Sequence, residues 1–325
     1  MTLRTSLTRA ALLPIALAVA APAHAWEPSQ PVEFVAPANP GGGWDTLVRT
    51  AARVIQEEGL ASVNFPAINI PGGGGAVAWA QIAAETGDAH TIFATSPPII
   101  LVPLSGQSRF DHTAFTPIAR LITDYSILLV PEASPYQTVG DLFDAIRENP
   151  GLSVGGGSAP GSMDHISIAS AAAAVDLDAA NINYIAFSGG GEAMVALLGG
   201  HVEAVITGAG EAVSQLDGGD LRALAVSSPE RLAAMPDIPT FEEAGVDFTF
   251  DIWRGVMGPP DMPEDAVAYY EGLFAEMLET AAWAEARDQL GWIDAYQDGE
   301  EFGAFLDEQQ GQFETILGDL GLLQN

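Results

Sequence analysis

The chain has 325 residues, with 43 Asp and Glu against 11 Lys and Arg and a formal charge of -32. Such an excess of carboxylates repels nucleic acid and anionic membranes at long range, which argues against DNA or RNA as a partner, and it suits a salty medium in which self-repulsion is screened. With no cysteine, disulfides, thiolate metal sites and a lipidated N-terminus are excluded, so stability must come from core burial.

In chain order, Arg4 and Arg9 precede an apolar run from Ala10 to Ala21, followed by Ala23-His24-Ala25. This pattern predicts a secretory signal peptide cleaved after Ala25. The run is interrupted by Pro14 and falls short of the roughly 20 residues of a membrane span. The rest of the chain, Trp26 to Asn325, is long enough to favour two domains.

Strands are predicted at 32–36, 67–71, 91–95, 126–130, 152–155, 181–187, 202–207, 221–226 and 248–256. Helices are predicted between them at 44–58, 76–85, 139–148, 162–175, 190–198 and 209–216, which is the alternation of an α/β fold. In the first helix Leu47, Val48, Ala51, Ala52 and Ile55 form one apolar stripe. The C-terminal part turns helical and acidic at 264–279, 282–289 and 300–317, with Phe302, Phe305, Phe313, Ile316 and Leu317 on one face. No linker divides the chain, so it is expected to cross between domains inside regular structure, near 126–131 and 246–253. That makes 26–127 plus 249–325 one discontinuous domain and 128–248 the other, with a ligand cleft between them.

Four glycine-rich segments each follow a strand and open a helix: 40–43, 72–75, 155–158 and 188–191. Glycine lets other atoms approach the backbone, and a helix start presents unpaired N–H groups, so these joints can hold an anion without Lys or Arg. They can also be plain tight turns. A phosphate-binding G-x-x-x-x-G-K-S/T loop is impossible without lysine, and Gly73-Gly75-Ala78 lacks the acidic residue a dinucleotide site needs about 20 positions on. A hydrolase cluster of Ser158 or Ser162 with His165, beside Asp164, competes with Ser162 as a simple helix N-cap. The histidines lack metal-ligand spacing, and no metal or cofactor is expected. Asp45 either pairs with Arg49 at i+4 or faces the cleft. Trp44 and Trp253 are cleft-lining or core. Arg254 either forks onto a ligand carboxylate or pairs with an acid such as Asp251.

The segments FVAPANPGGGWDTLVR, NIPGGGGAVAWAQIA, VGGGSAPGSMDHISIA, YIAFSGGGEAMVALLGGHVEAV, LRALAVSSPERL and IPTFEEAGVDFTFDIWRGVMGPP resemble, in order along nearly the whole chain, the periplasmic receptors of tripartite tricarboxylate transporters. The resemblance implies a two-domain, type II-like Venus-flytrap binding fold and no catalysis. It implies an organic carboxylate as ligand and a membrane permease as partner, the receptor acting as a monomer. The family's first carboxylate-holding loop falls on Pro40, Gly41, Gly42, Gly43, Trp44, Asp45 and Thr46. The second falls on Gly156, Gly157, Ser158, Gly161 and Ser162, with His165 matching a recurrent histidine. Gly73, Gly74, Ser96, Ser188, Gly189 and Gly190 line the equivalent cleft, and Arg254 is the candidate cation. Ser188 departs from the Lys or Arg of many dicarboxylate binders, and the FSGGGEA and WRG forms look citrate-like. An exported hydrolase or a ligand sensor docking on a membrane kinase are the alternatives.

Overall fold

The computed structural model describes residues 26–179 and 182–324, so the leader at 1–25 lies outside the described residues. Two βαβ layers share one strand. In the first, β1 (Glu33–Ala36) lies parallel between β2 (Ala67–Asn69) and β3 (Thr91–Thr95). In the second, β5 (Ser153–Gly156) lies parallel between β6 (Asn183–Ala186) and β7 (Ala204–Gly208). Helix α1 (Gly43–Glu57) follows β1, and α5 (Met163–Ala173) follows β5. On α1, Leu47, Val48, Ala51, Val54 and Ile55 are all buried, and each larger aliphatic contributes on the order of 1.5–3 kcal/mol.

The shared strand β4 (Thr116–Pro131) runs through both layers. Up to Tyr125 it pairs antiparallel with β9 (Asp251–Gly258) and β10 (Ile293–Asp298). From Ser126 it pairs with β7 and β8 (Leu221–Val226). The change of partners lies at Tyr125–Ser126, at the near edge of the stretch predicted to cross between domains. The chain rejoins the first sheet at Asp251, which pairs with Tyr125.

Three elements differ most from the sequence reading. Strand β4 begins ten residues before the predicted 126, at Thr116, because pairing with β9 and β10 overrides a stretch broken by Pro117 and Asp124. Helix α3 (Pro98–Leu104) was unpredicted; Pro98 occupies the first turn, where a missing N–H costs nothing, and Pro103 falls in the last turn. Strand β10 has no buried residue and carries no apolar alternation, so its pairing with β4 defines it.

The remaining helices cover the sheets: α2 (Ala76–Ile82), α4 (Val139–Glu148), α6 (Gly190–Leu198), α7 (Ala209–Asp217), α8 (Glu264–Leu278), α9 (Ala281–Leu290) and α10 (Gly299–Asp319). The first half has one continuous core, which includes Ala159, Met163 and Ile166 from the second half. The second half has a core on each face of its sheet. The two halves are therefore packed together where α5 begins.

Candidate functional site

All four glycine joints lie at the C-terminal ends of parallel strands, the side of an open α/β sheet that receives ligands. The joints before α1 and α5 share one local design. In the first, Gly41 donates its N–H to Asp45 Oδ2 at 2.9 Å. In the second, Gly161 donates its N–H to His165 Nδ1 at 2.8 Å. Each loop is thus closed by the third helical residue reaching back four positions, and the second helical residue, Trp44 or Asp164, faces inward.

The joints of the two halves meet across the interface. Asn39 donates its backbone N–H to Ser188 O at 3.0 Å and its side-chain amide to Glu192 at 3.2 Å. Gln107 donates to Pro160 O at 2.6 Å. Gly191 lies so close to Gly41 that a Cβ there would fall 3.1 Å from the Gly41 carbonyl oxygen. Likewise a Cβ on Gly43 would run into the Arg254 guanidinium.

Between the joints is a cavity of about 240 Å³. Of the residues expected at the site, Gly42, Gly43, Trp44, Gly73, Gly74, Ser96, Gly157, Ser158, Ser188, Gly189, Gly190 and Arg254 line it. Pro40, Gly41, Asp45, Thr46, Gly156, Gly161, Ser162 and His165 do not. Asp45 is held by Gly41, by Arg49 at 2.8 Å and by Asn69 at 2.9 Å, which answers the choice between pairing and facing the cleft in favour of pairing. Gly41 and Thr46 border a neighbouring groove, and Thr46 donates its hydroxyl to Gly42 O at 3.1 Å. Gly156 ends β5. Ser162 occupies the N-cap of α5 without a capping hydrogen bond. His165 stacks on Tyr184 with ring centres 4.7 Å apart. Trp44 is both core and lining, its indole N–H donating to Ser96 Oγ at 2.9 Å, whereas Trp253 is core.

Arg254 does not pair with Asp251, which lies 3.9 Å from Arg120 instead. Its guanidinium donates to Asp124 at 3.1 Å and lies 3.5 Å from Glu211, with all three side chains at most 4% exposed. Burial pushes the Asp164 carboxyl up to about 7, against the lowering effects of the Gly157 amide, the Arg254 charge and Ser158. Burial likewise pushes Glu211 up to about 8; Arg254 and Thr207 oppose that rise, and Asp164 and Asp124 reinforce it. Burial also raises Asp45, but the hydrogen bonds from Arg49, Gly41 and Asn69 outweigh it and hold this carboxyl below its ordinary value.

Sequence reasoning did not assign Asp164, Glu211, Thr207 or Gln107 to the cleft, yet all four line it. Asp164 was visible only as a neighbour of His165. In a chain with 43 acidic residues, one more acid in a helix's first turn carries no signal, because carboxylates favour that position anyway.

A family model described as the tripartite tricarboxylate transporter family receptor matches residues 51–322. A curated relative, the UPF0065 protein in the tcbD-tcbE intergenic region of Pseudomonas sp. (strain P51), is 28% identical over 273 residues, covering 81% of this chain and 78% of its own. The solved periplasmic binding protein BugD superposes with a TM-score of 0.84 at 23% identity, over 92% of this chain and 100% of its own. MatC from Rhodopseudomonas palustris, solved with bound malate, superposes with a TM-score of 0.79 at 24% identity, over 89% and 99%. The fold is therefore the mixed α/β, two-domain solute-binding fold, and the chain belongs to the tripartite tricarboxylate transporter receptor family.

Proposed function

We propose that the protein is a periplasmic receptor that closes around an organic di- or tricarboxylate and delivers it, as a monomer, to the membrane permease of a tripartite tricarboxylate transporter. The observation that carries this reading is the convergence of glycine joints from both halves on one cavity, with the N-termini of α1 and α6 at its wall. The first N–H groups of each helix have no partner within the helix, and together with the helix dipole they favour a carboxylate. The malate bound by MatC supports the ligand class.

Export rests on the leader cleaved after Ala25. Among the described residues no helix is long and apolar enough to cross a membrane. The two domains are 26–127 plus 249–325 and 128–248, and they hinge where β4 changes partners and where the chain returns before β9. A receptor rather than an enzyme is supported by the hydrogen bonding of the hydrolase candidates. His165 Nδ1 is engaged by Gly161, and Ser158 Oγ accepts the Asp164 N–H at 2.8 Å.

Isothermal titration and thermal shift with malate, succinate, adipate, citrate and tricarballylate at high ionic strength test the proposal. A ligand at 100 times its Kd should add about 2.7 kcal/mol of stability. Absence of heat and of any shift with every carboxylate tried would falsify it.

A further inference from the structure

The cavity of a carboxylate receptor should offer donors, yet its lining includes two buried acids. The Asp164 residue is 1% exposed and the Glu211 side chain 4%. Oδ1 of Asp164 and Oε2 of Glu211 have no hydrogen bond of good geometry among the described residues, although Thr207 lies beside Glu211 and Gly157 and Ser158 lie beside Asp164. The one cation in the lining, Arg254, is shared between Asp124 at 3.1 Å and Glu211 at 3.5 Å. Its charge therefore leaves Asp164 and Glu211 without a full counter-charge. Among the described residues no three carboxylates or imidazoles come together in a way that could hold a metal ion. A donor on the ligand would complement them, since an unpaired buried carboxylate costs several kcal/mol and burial otherwise favours its protonated form.

We propose that Asp164 and Glu211 select the charge of the ligand, so that the site takes a carboxylate which also carries a protonated nitrogen. The ligand's carboxylate lies against the helix N-termini, and its nitrogen donates to the two free acid oxygens. This inference rests on the receptor reading above and narrows it. The acids, held near 7 and 8 by burial while the site is empty, ionise as the ligand cation arrives, so binding releases protons. The groups facing them are Asp124 on β4, Arg254 on β9 and the Tyr184 phenol on β6, the last raised well above its ordinary value by burial and by Asp164. The Tyr184 phenol, raised well above its ordinary value, does not titrate between pH 6 and 8. The proton release in that range therefore belongs to the two acids.

The experiment compares matched pairs by titration calorimetry: aspartate with succinate, glutamate with glutarate, and β-alanine with propionate. Each is run at pH 7 in two buffers of different ionisation enthalpy. At least one amino member should bind tenfold or more tightly than its amine-free partner, with net proton release. Asp164→Asn and Glu211→Gln should each reduce that preference about tenfold while the amine-free carboxylate still binds, and circular dichroism should report an intact fold for both. Tighter binding of the amine-free members with proton uptake would overturn the proposal, because the acids would then be neutral donors to an anion. Binding of both members with equal affinity and no proton release would overturn it too. If no carboxylate of either kind binds, the receptor reading itself falls.

Discussion

The loops before α1 and α5 are built alike and chemically opposed. Each begins Pro-Gly and is closed by a hydrogen bond from that glycine to a residue four positions on, Asp45 in one half and His165 in the other. The inward-facing residue between them is Trp44 in the first half, satisfied by Ser96. In the second half it is Asp164, with one oxygen unpartnered. Asp45 and Asp164 are adjacent positions of the same loop design, yet one carboxyl lies below its ordinary value and the other near 7. Burial and partners together set the charge: Asp164 lies deeper and its partners do not offset desolvation, whereas the hydrogen bonds of Asp45 outweigh it. One loop therefore supplies scaffold, and the other supplies an ionisable wall.

The largest effect should come from keeping the loops apart. Gly191→Leu places a side chain against the Gly41 carbonyl at a position within α6 where leucine suits the helix. Ligand affinity should fall at least about 100-fold, equivalent to roughly 2.7 kcal/mol. The melting temperature of the unliganded protein should change little, and small-angle scattering should report a more open molecule. A variant that binds normally would show that the two joints need not close on each other.

Next is the pH dependence of unfolding. Asp164 binds a proton more tightly folded than unfolded, so between its ordinary value of 3.8 and about 7 stability falls as pH rises. Asp164→Asn should flatten that part of the curve and make the unliganded protein more stable at pH 8, by a few kcal/mol. Asp45 has the opposite sign: its contribution is present above the unfolded value and lost as pH falls through the lower folded one. Urea titrations from pH 3 to pH 8 would check both, and parallel profiles for Asp164→Asn and Asp45→Ala would break the comparison.

Asp45→Ala removes the acceptor of Gly41, Arg49 and Asn69. It should cost about 1–3 kcal/mol of stability, read by urea unfolding at pH 7, with ligand affinity reduced less than by Gly191→Leu. The smallest effect is expected from His165→Ala, which loses the Gly161 bond and the stacking on Tyr184. About 1 kcal/mol of unfolding free energy is expected. A full loss of binding by a stably folded His165→Ala protein would mean that the loop-closing residue acts on the ligand directly.

Much of this architecture is legible in the residues alone. Strands 91–95 and 221–226 and helices 139–148 and 190–198 have their predicted bounds in the structure, because apolar periodicity and glycine or proline punctuation agree at each. Elements defined by distant pairing are not legible: the first ten residues of β4, and β10 beside them, have no local signal and exist through the ladders they share with β9 and each other. The proline-rich start of α3 hid a helix because proline is harmless only at its first turn, a position fixed by its neighbours.

The sequence by itself determined where the backbone must be bare: four glycine joints, each between a strand and a helix, in an acidic chain without lysine or cysteine. Only the tertiary structure decided which side chains enter the cavity between them. Along a helix's first turn, neighbouring residues point in directions about 100° apart, so Trp44 faces in while Asp45 turns back, and Asp164 faces in while His165 turns back. Charge state is likewise a property of surroundings. No local pattern distinguishes Asp45, held by three hydrogen bonds, from Glu211, which lies beside Arg254 on a buried cavity with one oxygen unpaired.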